Sequence, residues 1–252
     1  MRLYKDISDW LAHRKSLNPT GGIGFVPTMG ALHKGHLSLV KRSVDENELT
    51  VVSIFVNPTQ FNDPNDLDNY PRTLDADLDL LEAAGVDAVI LPSQDQIYPD
   101  GYRYQVLESE LSLELCGASR PGHFDGVLSV VMKLLNIIQA HKAYFGEKDY
   151  QQYLLIKGMA ESFFLTTEII ACPTIREQDG LAFSSRNLRL TPAERQTAPK
   201  FHAILTGDGS DQEKSQQLER SGFQVDYVQT RDGRIFGAVF LGKVRLIDNV
   251  PR

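Results

Sequence analysis

The chain alternates short apolar segments with amphipathic ones, and this alternation constrains its fold more than any other feature of the sequence. We predict five buried strands, at 23–26, 49–56, 87–91, 143–145 and 168–171. We predict helices between them, at 37–45, 73–84, 124–141 and 149–161. Strands that alternate with helices build a parallel sheet that is covered on both faces. The sequence therefore predicts an α/β fold.

The pattern changes towards the C-terminus, where a second and smaller unit is predicted. Residues 223–248 are typical of strands joined by turns, and Asp232-Gly233 between two of them favours a hairpin. The polar segment from Gly207 to Lys214 is predicted to be a surface loop. We expect two domains, a Rossmann-like domain that binds nucleotide and substrate at 1–172 and a small α+β domain at 173–252.

Composition and charge exclude several classes of function. The 252-residue chain has a formal net charge of -7, which argues against nucleic-acid binding because that requires a basic face. The longest apolar segment, 127–138, contains Lys133 and Asn136 and is too short to span a bilayer. The N-terminus has no signal-peptide core, and the two cysteines, Cys116 and Cys172, form no CxxC pair. We expect a cytoplasmic protein without nucleic-acid or membrane partners.

The segment Pro27-Thr28-Met29-Gly30-Ala31-Leu32-His33-Lys34-Gly35-His36 lies between the first predicted strand and the first predicted helix. In an open parallel sheet, ligands bind beyond the carboxyl ends of the strands. Glycines there let the backbone approach a phosphate, and the N-terminus of the following helix favours negative charge. His33 and His36 can both donate N–H groups to one phosphate chain. The segment therefore predicts a nucleotide phosphate site.

Three other interpretations of this segment compete with a phosphate site. A dinucleotide-binding fingerprint would run G-x-G-x-x-G from strand into helix, but Gly22-Ile23-Gly24 precedes the strand. A P-loop would continue with Lys and Ser or Thr, but Gly35 is followed by His36-Leu37. The histidines would otherwise be ordinary loop residues or metal ligands. Their position in a glycine-rich loop between strand and helix favours the phosphate site.

These motifs resemble those of a known family. His33-x-Gly35-His36 resembles the HxGH motif of the nucleotidylyltransferase superfamily, which includes the class I aminoacyl-tRNA synthetases. The longer string from Pro27 to His33 is similar to that of pantothenate synthetases. Further segments match the same family, namely FVNPTQF at 55–61, YPRT at 70–73, RPGHFDG at 120–126, FGEKDYQQ at 145–152 and RLIDN at 245–249. The chain is identified from these motifs as a member of that family.

The resemblance implies which residues contact ATP. The polar loop Ser184-Ser185-Arg186-Asn187 resembles the second phosphate motif of the superfamily, and its hydroxyls and guanidinium suit phosphate oxygens. Lys148 offers a point charge for phosphate, and Asp149 can accept a hydrogen bond from ribose. The implied ATP contacts are Met29, Gly30, Ala31, Leu32, His33, Lys34, Gly35, His36, Gly146, Glu147, Lys148, Asp149, Ile175 at adenine, Phe183, Ser184, Ser185 and Arg186.

The resemblance also implies a site for a hydroxy acid beside the nucleotide. Asn57 and Gln60 follow the second predicted strand, and their carboxamides suit hydroxyl and carboxylate groups. Gln60 and Gln152 are implied to hold pantoate. The full set of implied substrate contacts is Pro27, Thr28, Asn57, Gln60, Tyr70 and Gln152.

Two neighbouring groups of residues have structural interpretations as well. Arg120 and His123 are either a wall of the substrate pocket or the start of a helix with the imidazole satisfied locally. Asp75, Asp77 and Asp79 follow the YPRT segment, and we interpret them as a solvated helix face rather than as magnesium ligands.

The resemblance implies a reaction in which ATP, pantoate and β-alanine give pantothenate, AMP and pyrophosphate through a pantoyl-adenylate. Mg²⁺ and a homodimer are implied with it. The residues expected to neutralise the phosphate charge are His33, His36, Lys148, Ser184, Ser185 and Arg186. The segment 61–70 and the C-terminal domain, which we expect to be shorter than in other family members, are candidates for closure over the site.

Two alternatives to a ligase remain open from the sequence. A sister nucleotidylyltransferase would transfer a whole nucleotide to an alcohol phosphate or a phosphorylated cofactor precursor and form no amide. A nucleotide-binding protein without catalysis is the second, although the intact His33, His36 and Lys148 argue against it. A serine hydrolase is disfavoured because no G-x-S-x-G segment is present. Exchange of pyrophosphate into ATP that depends on pantoate is expected only of the ligase.

Overall fold

Six parallel strands form the predicted sheet in the computed structural model, which describes residues 1–252. The strands are β1 (Arg2–Tyr4), β2 (Ile23–Thr28), β3 (Leu49–Ile54), β4 (Ala88–Ile90), β5 (Lys142–Gly146) and β6 (Glu168–Cys172). Their order across the sheet is β1-β4-β3-β2-β5-β6, and every neighbouring pair is parallel. The α/β prediction is confirmed, although the sequence does not predict the three-residue strand β1.

Eleven helices surround this sheet and the smaller one that follows. They are α1 (Ile7–Ser16), α2 (Lys34–Glu46), α3 (Pro64–Asp68), α4 (Leu74–Ala83), α5 (Gln94–Ile97), α6 (Cys116–Ser119), α7 (His123–Ile138), α8 (Tyr150–Ser162), α9 (Pro192–Thr197), α10 (Pro199–Thr206) and α11 (Asp211–Arg220). Helix α4 ends before Gly85, whose φ of 84° is the left-handed conformation that terminates helices. None of the eleven combines the length and apolar character needed to cross a membrane.

Helix α2 begins at Lys34, three residues before its predicted start. Its N-cap is His33, whose Nδ1 atom accepts the backbone N–H of Gly35 at 3.1 Å. Histidine is not among the residues preferred at N-caps, so the sequence gives no capping signal at His33. The apolar pattern, which begins at Leu37, therefore places the predicted start too late. The consequence is that both histidines of the motif belong to the first turn of the helix.

The strands bury both faces, as expected of a parallel sheet between helices. Phe25 and Val51 point to one face and pack with α1, α7 and α8, whereas Val26 and Val52 point to the other and pack with α2 and α4. Because successive side chains of a strand point to opposite faces, β2 and β3 are apolar at nearly every position. The two resulting clusters of buried side chains hold the strand ends rigidly in place.

The connections between strands create a switch point at the centre of the sheet. From β2 the chain continues to β3 and β4 on one side, and it later crosses through α7 to β5 on the other side of β2. The crevice between two strands whose connections run in opposite directions is where open α/β sheets bind ligands. The motif after β2 and the Gly146–Lys148 segment after β5 therefore flank the same crevice.

The C-terminal part is a three-stranded antiparallel sheet of β7 (Gln224–Arg231), β8 (Arg234–Leu241) and β9 (Val244–Pro251). Asp232 and Gly233 join the first two strands, both with positive φ, as the tight hairpin turn requires. Helices α10 and α11 cover one face of the sheet, and Phe201, Leu218 and Val239 are in the centre of a separate apolar cluster. The predicted hairpin is confirmed.

The prediction of a surface loop over 207–214 is wrong from the start of α11 onward. Ser210 and Glu213 form a capping box, in which each side chain accepts the backbone N–H of the other residue. Lys214 is buried, and its ammonium donates to the backbone carbonyls of Ile204, Leu205 and Gly207 at the end of α10. Ser210 and Glu213 therefore cap α11 at the surface, and Lys214 caps α10 from a buried position.

Candidate active site

A cavity of about 710 Å³ lies at the carboxyl ends of β2 and β5, between the parallel sheet and the C-terminal sheet. Its volume is within the range of sites that bind small molecules and cofactors. Eighteen of the residues that are implied to contact ATP or substrate line it. They are Pro27, Thr28, Met29, His33, Gly35, His36, Asn57, Gln60, Tyr70, Gly146, Lys148, Asp149, Gln152, Ile175, Phe183, Ser184, Ser185 and Arg186.

His33 is oriented by the helix that it caps. Because its Nδ1 atom accepts the Gly35 N–H, the proton of the neutral ring is on Nε2, which is left as a donor. Burial, followed by the charge of Lys148, lowers the pKa of His33 to about 4. The ring is therefore neutral at physiological pH and donates one N–H group.

His36 lies one turn further along α2 and shares the desolvated environment of His33. The two rings stack with their centroids 4.0 Å apart, and the Nδ1 atom of His36 is buried without a hydrogen-bond partner in the chain. Burial, followed by the neighbouring His33 and Lys148, lowers the pKa of His36 to about 3. An unpartnered polar atom in such a place costs stability unless another group binds it, so His36 is a candidate to contact a ligand.

Lys148 supplies the positive charge next to the two imidazoles. It follows β5, and its side chain is 19% exposed, with the ammonium 3.7 Å from the carboxylate of Asp149. That pair is loose, so the ammonium is free to bind an anion of higher charge. Its effect on both imidazole pKa values shows that the residues predicted after β2 and after β5 meet in one electrostatic environment.

The Ser184–Arg186 segment approaches the cavity from the other side. The Ser184 hydroxyl accepts the backbone N–H of Arg186 at 3.2 Å, which begins a 3₁₀ turn and leaves its own O–H available. The Ser185 hydroxyl is 3.4 Å from the hydroxyl of Tyr70. Phe183, just before, lies parallel to the His33 ring with 6.2 Å between centroids. The predicted second phosphate motif thus reaches the same cavity.

Arg186 also binds the segment that was predicted to close over the site. Its guanidinium is 2.9 Å from the carboxylate of Asp66 in α3, and Arg189 contacts the other oxygen of the same carboxylate. Burial alone would raise the pKa of Asp66, but the two guanidinium groups outweigh it and hold the pKa below its usual value. Segment 61–70 is therefore held against the second phosphate motif.

Gln60 and Asn57 form one hydrogen-bonded unit after β3. Asn57 is buried, and it donates to the Gln60 Oε1 atom at 2.9 Å and to the Gly126 carbonyl at 3.1 Å. Its own Oδ1 atom accepts hydroxyl protons from Tyr98 and Thr59. The carboxamide of Asn57 is thus fully occupied, and it turns the N–H₂ donors of Gln60 away from itself.

Both interpretations of Arg120 and His123 apply, because the two residues form part of the cavity wall and also have a structural role. Each lines the cavity, and each has a nitrogen atom within hydrogen-bond distance of the Gln60 backbone carbonyl, at 3.1 Å and 2.8 Å. Burial, followed by Arg120, lowers the pKa of His123 to about 3, so this imidazole is neutral as well. These residues fix the turn that carries Gln60.

Two adjacent glutamines in α8 have different environments. Gln151 is buried, and its side chain binds the carbonyls of Leu111 and Glu114 and the N–H of Cys116. Gln152 is only partly buried and lines the cavity. Gln152, which the resemblance implies as a substrate contact, is thus the glutamine whose carboxamide is not used to hold the α6 region.

Five implied ATP contacts do not line the cavity, namely Gly30, Ala31, Leu32, Lys34 and Glu147. The backbone N–H groups of Ala31 and Leu32 bind the Asp77 carboxylate instead of facing the cavity. Lys34 is exposed, with its ammonium 5.9 Å from the Phe183 ring centroid. Ala31, Leu32 and Lys34 thus belong to the loop beside the cavity without facing into it.

The interpretation of three aspartates as a solvated helix face is wrong for Asp77. Asp75 and Asp79 are exposed, but Asp77 is 2% exposed and accepts the N–H groups of Ala31 at 2.9 Å and Leu32 at 2.7 Å. A signal was present in the sequence, because Asp77 is three residues after Leu74 and four before Leu81, on the apolar face of α4.

The cavity therefore combines neutral N–H donors, Lys148, Arg186 and the hydroxyls of Ser184 and Ser185 around a space large enough for a nucleotide, with further basic side chains in its wall. Such a set suits a chain of phosphates, whose charge is distributed over many oxygens. No group of three or more His, Cys, Asp or Glu residues is arranged to hold a metal ion. The chain itself offers no dedicated metal centre there.

The sequence matches the model of the family described as Pantoate-beta-alanine ligase over residues 1–251. The chain belongs to the pantoate–β-alanine ligase family. A pantothenate synthetase of Bdellovibrio bacteriovorus is 58% identical over 231 residues, which cover 92% of each chain. One of Legionella pneumophila (strain Corby) is 51% identical over 249 residues, or 99% of each. The family assigned from the motifs is confirmed, and the chain is an enzyme of this ligase family.

Solved structures of the family have the same fold. The ligase of Francisella tularensis, in complex with beta-gamma ATP and β-alanine, has a TM-score of 0.95 and 46% identity, covering 100% of this chain and 97% of that one. The enzyme of Thermus thermophilus has a TM-score of 0.90 and 39% identity, covering 100% and 99%. The Rossmann-like sheet with a small C-terminal α+β unit is thus the fold of this family.

The comparison also bears on the length of the C-terminal domain. The sequence predicted a shortened domain, but the alignment with the Legionella enzyme covers 99% of both chains. The C-terminal part therefore has the same length as in this relative, and no shortening is seen against it.

Proposed function

We propose that this chain condenses (R)-pantoate with β-alanine at the expense of ATP, and that it releases AMP and pyrophosphate through a pantoyl-adenylate. The observation that carries this proposal is the convergence of His33, His36, Lys148 and the Ser184–Arg186 segment on one cavity. Membership of the ligase family supports the two acid and amine substrates. The Francisella relative, solved with beta-gamma ATP and β-alanine, supports ATP as the third.

In the first step, a carboxylate oxygen of pantoate attacks the α-phosphorus atom of ATP. A P–O bond forms, the bond to the β-phosphate oxygen breaks, and pyrophosphate leaves with the electron pair. Two anions must approach each other, so the barrier falls if positive charge and N–H donors surround the phosphates. In this proposal the imidazoles, Lys148 and Arg186 supply that environment, and Gln60 and Gln152 hold pantoate in line.

In the second step, the neutral amine of β-alanine attacks the carbonyl carbon of the mixed anhydride. The C–N bond forms, the C–O bond to AMP breaks, the nitrogen loses a proton, and AMP leaves as its anion. No side chain is covalently attached in either step. Water would hydrolyse the intermediate, so closure of segment 61–70 through Asp66 and Arg186 serves to exclude it.

Mg²⁺ enters this proposal as part of the nucleotide. Magnesium is commonly bound through substrate phosphates with only one or two protein carboxylates. Asp149 lines the cavity beside Lys148 and would be one carboxylate available to such an ion. The ion supplies charge neutralisation at the phosphates.

The proposed setting is the cytoplasm, with the enzyme acting as a homodimer. The two cysteines, Cys116 and Cys172, are both free and buried, as expected in a reducing compartment. The dimer is proposed from the family resemblance, and light scattering of the purified chain at two concentrations tests it.

The experiment that tests the proposed function measures AMP formation with a panel of small hydroxy acids, each with and without β-alanine. We expect AMP above background only with pantoate and β-alanine together, in amounts equal to the amide formed. Transfer of a whole nucleotide to a phosphorylated acceptor, without amide, would assign the chain to a sister nucleotidylyltransferase activity. No AMP with any acid would contradict the ligase proposal.

A further inference from the structure

The end of strand β9 lies in the wall of the cavity and contacts the segments that carry both nucleotide motifs. Its residues Asp248 and Asn249 are adjacent, and each is 4% exposed. Because neighbouring side chains in a strand point to opposite faces, the two reach different segments of the chain. They belong to the RLIDN motif, to which the proposed mechanism assigns no role.

Asn249 holds the segment that carries the cavity lysine. Its Nδ2 atom donates to the backbone carbonyls of Glu147 and Lys148, both at 2.9 Å. A primary amide has two N–H donors on one nitrogen, so it satisfies two consecutive carbonyls, which a hydroxyl or a carboxylate does not. The Oδ1 atom accepts from Arg234, whose guanidinium lies 3.9 Å from the ring centroid of Tyr150. The orientation of the amide is therefore fixed from both ends.

Asp248 holds the hairpin that leads to the second phosphate motif. Its carboxylate binds the Arg176 guanidinium in a bidentate pair, at 2.7 Å and 2.8 Å. Arg176 in turn donates to the Gly180 carbonyl at 3.1 Å, and the hairpin closes where the Phe183 N–H donates to the Ile175 carbonyl at 3.1 Å. The residue after Phe183 is Ser184, so Asp248 fixes the direction in which this motif enters the cavity.

We propose that Asp248 and Asn249 are positioning residues, which set the distance between Lys148 and the Ser184–Arg186 segment and thereby the affinity for ATP. The inference rests on the proposed function, since it assumes that both segments bind one triphosphate. Lys148 follows strand β5 of the parallel sheet, whereas Ser184 and Ser185 lie in a loop that comes after the last strand of that sheet. Because the end of β9 is bound to both segments, the distance between Lys148 and the Ser184–Arg186 segment does not depend on movements of either loop.

The test uses Asn249→Leu, which keeps the approximate size, adds no charge and leaves two carbonyls without donors. We expect the Kd for ATP with Mg²⁺, measured by titration calorimetry, to rise by about 10-fold or more, since the loss of one charge-assisted contact from a displaced Lys148 corresponds to at least that factor. The KM for β-alanine should change by less than about 2-fold. If Asn249→Leu does not fold, Asn249→Ser replaces it, because one short hydroxyl cannot reach both carbonyls.

A matched control separates positioning from loss of stability. Val250→Ala changes the next residue of β9, whose side chain packs in the C-terminal apolar cluster away from the cavity. It should lower the Tm at least as much as Asn249→Leu and leave the Kd for ATP within about 2-fold. An equal loss of ATP affinity in both variants would overturn the inference.

A double-mutant cycle with Lys148→Ala shows whether Asn249 acts through the lysine. Once Lys148 is removed, Asn249→Leu should weaken ATP binding by less than about 2-fold, because the group that it positions is absent. Full additivity, or an unchanged Kd in folded Asn249→Leu, would overturn the inference. Wild-type AMP formation is measured first, so that an inactive wild type refutes the ligase proposal while the ATP titrations still decide the role of Asn249.

Discussion

The imidazole rings of His33 and His36 stack with their centroids 4.0 Å apart, in a place where neither ring readily accepts a proton. Burial is the main cause for both, and the ammonium of Lys148 adds to it. Lys148 is therefore the cation next to two neutral imidazole donors. Neutral N–H donors bind phosphate oxygens without adding positive charge, which fits a site that must bind and also release a highly charged nucleotide.

The first prediction concerns the protonation of these rings. Since the pKa values are about 4 for His33 and about 3 for His36, their Cε1 proton shifts in the free protein should stay constant from about pH 8 to about pH 5. A histidine in the unfolded chain has a pKa of about 6.5, so below that pH the unfolded chain binds more protons than the folded protein. The free energy of unfolding should therefore decrease as the pH falls from about 6.5 towards 4. A midpoint near pH 6.5 for either ring would contradict the account.

The second prediction concerns removal of one imidazole. His36→Ala should lower kcat by about 10²–10³, as does the loss of one donor that acts on the transition state in other enzymes. Steady-state kinetics at saturating substrates measures this, and circular dichroism confirms that the variant is folded. A folded variant with nearly normal kcat would remove His36 from the mechanism.

The third prediction concerns the carboxylate beneath the nucleotide loop. Ala31 has a φ of 50°, an unfavourable conformation for a residue other than glycine, and Asp77 holds it through two hydrogen bonds. Asp77→Asn keeps the shape but loses one acceptor and the charge, so unfolding in urea should cost about 1–3 kcal/mol less. Asp79→Asn, on the exposed side of the same helix, should stay within about 0.5 kcal/mol of the wild type. Equal effects of the two changes would show that Asp77 has no special role.

The fourth prediction concerns the contact between segment 61–70 and the second phosphate motif. Asp66→Asn removes the charge that binds Arg186 and Arg189, so hydrogen exchange of the amides in 62–69 should become faster in the free protein. Asp68→Asn, two residues away and exposed, is the matched control and should leave exchange unchanged. The segment should remain as protected as in the wild type only if the ion pairs are dispensable for its closure.

Periodicity and motifs predict the sheet and the convergence of the site because both depend on local pattern. Apolar runs such as Leu49–Ile54 indicate buried strands, and their alternation with helices indicates a parallel sheet. The order of the strands across that sheet is known only from the structure. Residues that line the cavity come from segments just after strands, where the sequence already has polar side chains next to glycine or proline.

What the sequence does not predict depends on long-range pairing of polar groups. Lys214 is buried because backbone carbonyls at the end of α10 satisfy it. Asp77 lies on the apolar face of α4, but the sequence does not show that N–H groups of the loop after β2 satisfy it. The same holds for Asn249, which binds carbonyls about a hundred residues earlier in the chain. Such partners become visible only when the fold brings them together.

The central claim is that the imidazoles, Lys148 and the Ser184–Arg186 segment bind one triphosphate and activate a carboxylate on it. Exchange of labelled pyrophosphate into ATP, with pantoate present and β-alanine absent, measures this step most directly. The account predicts exchange that requires pantoate and disappears in Lys148→Ala. Amide formation by the wild type without any pantoate-dependent exchange, even when pyrophosphate is saturating, would contradict the adenylate route.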